Sequence, residues 1–303
     1  MKKVLSLSGG GYRGLIEAYI LNYLEHKMQE PIYNKFDIIA GTSTGSILAG
    51  GLSVGKSAEE LLQFYLELGP KVFAKPTISY RVRSVFGLHK SKFDREIFYS
   101  YVEKNLGGGN IDETFVPVLM TVFNITTGTP CEFNSFKDSN VKLVDAILAS
   151  SAAPTYFTPT IINNEEYIDG GVYAPDPSRV VMDYIKDVMD IGPDNSYLLS
   201  LGTGSKLVGY ENVTKWWKYE WITPLVQLMM SADTTSTDKE MKSLFKHYPS
   251  SYTRINEPLN KSYNKDMADA SKENTNLLKA HAVATILRNK KKLDEVADIL
   301  KSL

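Results

Sequence analysis

The chain has one cysteine, Cys131, four histidines, almost no net charge and no long hydrophobic run. A lone cysteine excludes an internal disulfide and suits a reducing compartment. Lys and Arg number 34 against 35 Asp and Glu, a formal charge of −1, so no global field draws nucleic acid. No stretch approaches the roughly 18–20 apolar residues of a membrane span. The start, Met1-Lys2-Lys3 and then Val4-Leu5-Ser6-Leu7-Ser8, runs into glycines. Its apolar part falls short of the roughly 7–15 residues of a secretory signal core, so it reads as a first strand. The expectation is a cytoplasmic protein that is soluble or touches a membrane from one side only.

What is present is an ordinary globular composition, 43% hydrophobic and 23% charged over 303 residues. That is enough for a large core, in one sizeable α/β domain or in two. No repeat or linker-like stretch interrupts it, so a single domain over 1–303 is expected, its C-terminal portion helical from about residue 213. The pattern predicts a strand over Lys3–Leu7, a helix over Leu15–Met28 and a buried strand over Phe36–Ala40. Ser57-Ala58-Glu59-Glu60 is a capping box opening a helix over Ala58–Leu68. An irregular segment from Pro70 to Ser91 follows, then a helix over Phe93–Asn105 and strands over Val116–Ile125 and Cys131–Phe136. Val141–Ser150 is a predicted helix ending before Pro154. A hairpin turning at Asn163-Asn164 delivers Asp169. A helix over Pro177–Met189 and a strand over Tyr197–Leu201 come next, then mostly helix over Val213–Phe245 and a short strand over Ser251–Ile255. Lys272–Leu303 is helical, with a break near Asn289. Strands alternating with helices predict a layered α/β fold around a largely parallel sheet, mixed by its hairpins.

Three glycine-rich stretches carry the chemistry. Gly41-Thr42-Ser43-Thr44-Gly45 follows a predicted strand and precedes a small apolar run suited to a tightly packed helix. Strand, tight turn and helix make a nucleophile elbow, in which the flanking glycines leave room for an exposed, strained serine. Gly9-Gly10-Gly11-Tyr12-Arg13-Gly14 also follows a strand and opens a helix. It fits the dinucleotide fingerprint, but that use needs an acid at the end of the second strand, where Ser43 stands instead. Its other use is an oxyanion hole, with glycine amides at a helix N-terminus aimed at one spot. Arg13 then either adds positive charge nearby or pairs with a carboxylate to fix the loop.

A serine nucleophile needs a base. His26, His89, His247 and His281 all lack glycine or acidic company on a strand-end loop; His281 fits α/β-hydrolase chain order best. Asp169-Gly170-Gly171 ends a predicted strand, and a carboxylate touching a serine hydroxyl in a poorly solvated site can take its proton directly. Asp-Gly is also ordinary hairpin-turn sequence. Two further patches invite contact with lipid. Lys71, Lys75, Arg81, Arg83, Lys90, Lys92 and Arg95 are interleaved with apolar residues, and Trp216, Trp217, Tyr219 and Trp221 form a cluster. Basic residues among apolar ones suit anionic headgroups; a packed loop with a solvated rim, and a buried aromatic core, are the alternatives.

Together, the three motifs resemble those of the patatin-like phospholipase family, in the family's order: the G-G-G-x-R-G oxyanion loop, the G-T-S-T-G elbow and the D-G-G motif. Segments around Ala149–Phe157, Leu199–Gly204 and Met267–Ser271 extend the resemblance over most of the chain. It implies a three-layer α/β/α sandwich and serine-dependent hydrolysis of lipid acyl esters. Phospholipid or another acyl lipid is the implied substrate, reached by peripheral membrane contact, with no metal or nucleotide cofactor. It assigns Ser43 and Asp169 as a catalytic dyad, and Gly10, Gly11 and Arg13 to the oxyanion hole. Gly9, Gly14, Gly41, Gly45, Gly170 and Gly171 support the motifs. The alternatives are a general serine esterase with a Ser-His-Asp triad and a catalytically idle storage or scaffold relative. Two positions depart from the pattern: Ser8 stands where many members have aspartate, and Ala174-Pro175-Asp176-Pro177 where many have Asn-Pro. Both bear on how the loops are braced.

Overall fold

The computed structural model describes residues 1–73, 93–204, 222–259 and 266–302. The segment holding Lys75, Arg81, Arg83, Lys90 and Lys92, and the cluster Trp216, Trp217, Tyr219 and Trp221, lie outside the described residues.

The strands are β1 (Lys2–Leu7), β2 (Ile38–Thr42), β3 (Val118–Asn124), β4 (Thr129–Asn134), β5 (Thr160–Ile162), β6 (Glu165–Asp169), β7 (Ser196–Leu201) and β8 (Tyr252–Ile255). The helices are α1 (Leu15–Met28), α2 (Thr44–Ser53), α3 (Ala58–Val72), α4 (Arg95–Leu106), α5 (Leu143–Ser150), α6 (Ser178–Met189), α7 (Ile222–Leu244), α8 (Lys272–Arg288) and α9 (Lys290–Lys301). Among the described residues the strands form one sheet in the order β5-β6-β3-β2-β1-β7-β8, with β4 also on β3. β8, β7, β1, β2 and β3 run parallel, while β4, β6 and β5 add antiparallel pairs.

The alternation of strand side chains builds two cores, one on each face of the sheet. Leu5, Leu7, Ile39, Leu199 and Leu201 join α1, α2, α3, α5, α8 and α9 in the larger. Val4, Ile38, Ala40 and Leu198 pack with Val181, Met182 and Ile185 of α6 and with Met241 and Phe245 at the end of α7 in the smaller. The result is a three-layer α/β/α sandwich.

Local signals set the helix ends. Ser57 accepts from the Glu60 N–H at 3.1 Å and the Glu60 side chain accepts from the Ser57 N–H at 2.9 Å, closing the capping box. The hairpin turns through Asn163 and Asn164 at φ 52° and 65°, values asparagine tolerates. The helix predicted to stop at Leu68 instead passes Pro70 and reaches Val72. Packing overrides proline here: Val72 is buried, and the Phe73 ring stands edge-on to Tyr12 and Phe93.

The register of β3 brings two distant strands tip to tip. β2 pairs with β3 as far as Thr42 opposite Thr121. β6 arrives antiparallel and ends with Asp169 opposite Val122, the next residue of β3. β4 occupies the other edge throughout, from Leu119 to Asn124. β2 and β6 therefore share one edge of β3, and the residues at their ends, Ser43 and Asp169, meet.

Candidate active site

Ser43 sits between β2 and α2 with φ 54° and ψ −127°, a backbone state L-residues rarely adopt. Such strain costs about 1–3 kcal/mol and persists only where neighbours hold it. Here its N–H donates to Ser150 Oγ at 3.0 Å. Its carbonyl accepts from the Ser46 N–H at 2.9 Å, Ser46 Oγ at 2.5 Å and Ser151 Oγ at 3.0 Å. The turn closes so tightly that a Cβ on Gly41 would sit 2.6 Å from the Gly45 carbonyl oxygen, and one on Gly45 would strike the Leu7 carbonyl.

Asp169 caps the short 3₁₀ turn Gly170–Val172, with Oδ1 accepting the Gly171 N–H at 2.7 Å. The residue is 5% exposed and Ser43 is 7% exposed. Burial pushes the Asp169 carboxyl up to about 7, against weaker downward pulls from the Ser43 side chain and the Gly171 N–H. Among the described residues no cation offsets this burial. Desolvation thus gives this carboxyl a basicity close to that usual for imidazole.

The Gly-rich loop is braced nearly group by group. The Ser8 N–H donates to Glu17 Oε1 at 2.8 Å, and the Gly9 N–H to the Pro175 carbonyl at 2.8 Å. The Gly9 carbonyl accepts from Thr203 Oγ1 at 3.0 Å, and the Gly10 carbonyl from Arg13 Nε at 3.1 Å. The Tyr12 N–H donates to the Met267 carbonyl at 2.8 Å. Two donors remain: among the described residues the N–H groups of Gly10 and Gly11 have no partner. A trans peptide points its N–H opposite to its C=O. Thr203 and Arg13, by holding the two carbonyls, therefore turn both N–H groups away from themselves. Orphan N–H groups are rare in native proteins, so two adjacent ones mark a place for an acceptor. Gly11, at φ 62°, takes the left-handed conformation this needs. The loop lies against the elbow, since a Cβ on Gly9 would come within 3.0 Å of Ser43 Cβ.

Ser43, Asp169, Gly11 and Gly171 line one cavity of about 100 Å³, walled by Phe73, Phe98, Tyr156, Phe157, Met230 and Met267 among others. Among the described residues no Lys, Arg or His lines it. Gly10 and Arg13 flank Gly11 in the chain and are not themselves part of the lining. Arg13 braces the Gly10 carbonyl and lies 3.0 Å from Met267 Sδ; desolvation lowers its guanidinium to about 10. Its anchor is thus a carbonyl rather than the carboxylate considered above. Gly14 packs under the Tyr65 hydroxyl and Gly170 against Thr121. His26 and His247 are exposed, His281 is buried near Glu257, and His89 lies outside the described residues. Sequence reasoning missed the braces Ser150, Ser151 and Thr203. Their only signal was membership in Ala149–Phe157 and Leu199–Gly204, which resemble family segments without naming a role.

Comparison with known proteins agrees in extent. The chain is 29% identical to Patatin-2-Kuras 3 of Solanum tuberosum over 92% of its own length and 82% of that protein. It is 30% identical to Patatin-like protein 2 of Arabidopsis thaliana over 83% of its length and 74% of that protein. Probable inactive patatin-3-Kuras 1 of Solanum tuberosum is 28% identical, over 85% and 79%. Residues 5–182, more than half of the chain, match the family described as Patatin-like phospholipase, and the chain belongs to that family.

Proposed function

We propose that the lipid acyl hydrolysis expected of this family is carried out here by Ser43 as nucleophile and Asp169 as its base, with no histidine between them. The observation that carries this reading is the shared, apolar cavity in which the two side chains meet and Asp169 is raised to about 7. A base of that strength is balanced between holding and releasing a proton near neutral pH.

The steps follow from that placement. Asp169 takes the Ser43 Oγ proton as Oγ bonds to the ester carbonyl carbon. The electron pair moves onto the carbonyl oxygen, which the Gly10 and Gly11 N–H groups receive. Each well-aimed donor contributes roughly 10²–10³ in rate. Collapse of the intermediate breaks the bond to the alcohol, which leaves with the proton from Asp169. Water then gives a proton to Asp169 and attacks the acyl-enzyme, and Ser43 recovers its hydrogen as the fatty acid departs. The aromatic and methionine walls suit an acyl chain.

Product analysis by mass spectrometry after incubation with phospholipid vesicles tests the proposal. Free fatty acid is expected from the wild type and from His281→Ala. Ser43→Ala and Asp169→Asn are expected to lose at least about 10³ of the rate. Labelling of Ser43 by a fluorophosphonate without lipid hydrolysis would indicate a different serine esterase; no labelling would indicate an idle relative. Loss in His281→Ala equal to that in Asp169→Asn would replace the dyad with a triad.

A further inference from the structure

Behind the Gly-rich loop lies a buried polar cluster that the steps above do not use. Its centre is Arg254 on the edge strand β8, with 8% of its side chain exposed against 0% for Asp176. Arg254 Nη1 lies 2.8 Å from Asp176 Oδ2. It also donates to Ser200 Oγ at 2.5 Å, Ser8 Oγ at 3.3 Å and the Leu201 carbonyl at 3.3 Å. Asp176 Oδ1 accepts from the Ser178 N–H at 3.1 Å, Ser178 Oγ at 2.6 Å and Ser6 Oγ at 3.2 Å. One guanidinium thus reaches from β8 across β7 to the end of β1 and to the segment that follows Asp169.

Ser8 is one of the two departures from the family pattern noted above, and Asp176 lies within the other, Ala174-Pro175-Asp176-Pro177. Each adjoins a loop of the cavity. Ser8 immediately precedes the Gly-rich turn. Asp176 follows Pro175, whose carbonyl takes the Gly9 N–H at 2.8 Å. Glu17 closes the cluster from α1, accepting the Ser8 N–H at 2.8 Å. Burial pushes the Glu17 carboxyl well above its ordinary range, against the Ser8 N–H and the Arg254 charge, while Asp176 is the carboxylate in direct contact with Arg254. With serine at position 8, the carboxylate comes from the opposite loop, and the ion pair ties the two loops together.

We propose that Arg254 is a positioning residue for acyl transfer: by joining Ser8 to Asp176 it holds the Gly-rich loop and the segment behind Asp169 in one geometry. The inference rests on the Ser43–Asp169 reading. Arg254 does not line the cavity, so it acts on the alignment of donors and base and leaves substrate contacts in place. Its loss therefore lowers kcat and leaves KM unchanged.

The test uses the 303-residue chain and a soluble acyl ester. kcat and KM are measured for wild type, Arg254→Gln, Arg254→Lys, Ser8→Ala and the double variant Ser8→Ala/Arg254→Gln. Arg254→Gln is expected to lose about 10–100-fold in kcat, with KM within about threefold and the acid limb of the pH profile unmoved. The contacts of Arg254 run through Nη1, so Arg254→Lys, which keeps one charged donor nitrogen on a shorter reach, recovers part of the loss. The double variant is expected to lose less than the product of the two single losses, because the Arg254–Ser8 contact is missing in both single variants. If Arg254→Gln does not unfold cooperatively, Arg254→Lys and Ser8→Ala carry the same test, each with about a threefold or greater kcat loss at constant KM. A folded Arg254 variant with wild-type kcat overturns the inference, as does a double variant whose loss is the product of the single losses. A wild type inactive on the ester would sink the dyad reading instead.

Discussion

Thr203 Oγ1 donates to the Gly9 carbonyl at 3.0 Å, and the N–H of that same peptide unit, belonging to Gly10, is one of the two without a partner among the described residues. A hydroxyl on β7's trailing loop thus sets the direction of a donor proposed to receive the oxyanion. Thr203→Val keeps the shape and removes the hydroxyl, so kcat should fall about tenfold with little change in KM. Thr203→Ser should restore most of it. Steady-state kinetics on a soluble ester decide this, and equal kcat in Val and Ser variants would remove Thr203 from the account.

Arg13 performs the matching task one peptide later, through Nε on the Gly10 carbonyl. Lysine cannot offer a donor at Nε while its head lies elsewhere. Arg13→Lys should therefore cost about 10-fold or more in kcat although the charge is kept. If charge alone mattered, Arg13→Lys would behave as wild type.

The strain at Ser43 makes a prediction about stability. At φ 54° an alanine is as strained as the serine, whereas glycine is not. Ser43→Gly should be more stable than Ser43→Ala by about 1–2 kcal/mol, the reverse of the usual order of these residues. Denaturant unfolding of the two inactive variants measures the difference; a more stable alanine variant would show that the turn is relaxed.

Asp169 should impose a pH dependence on folding as well. Its carboxyl stands at about 7 in the folded state against 3.8 as its ordinary value, so the native state holds the extra proton between those limits. Its stability contribution is complete below about pH 4 and is lost as pH rises through about 7. Asp169→Asn keeps an acceptor for the Gly171 N–H without the buried charge. Its stability relative to wild type should climb across that window, with a ceiling of about 4 kcal/mol. Thermal unfolding of both proteins from pH 4 to pH 8 provides the check, and a constant difference would mean that Asp169 is not desolvated.

Much of the fold was legible because its signals are local. The Ser57–Glu60 capping box, the Asn163-Asn164 turn and the break at Asn289 all stand where their residue types direct. The elbow and the Asp169-Gly170-Gly171 turn were legible for the same reason. The braces were not, because each joins residues far apart in the chain: Ser150 to Ser43, Thr203 to Gly9, Arg254 to Ser8. A serine in a small-residue run gives no sign of which peptide group it will meet. The meeting of β2 and β6 on one edge of β3 is likewise a matter of register, which local patterning leaves open. Nor does composition disclose that Asp169 is desolvated; that follows only from which side chains the fold brings near it.

The central claim is that Asp169 itself takes the Ser43 proton, and the pH dependence of Ser43 acylation tests it most directly. The rate of fluorophosphonate labelling should rise through an apparent pKa of about 7 in the wild type, as Asp169 loses its proton, and collapse at every pH in Asp169→Asn. Labelling of Asp169→Asn at the wild-type rate, with the same pH profile, would contradict it.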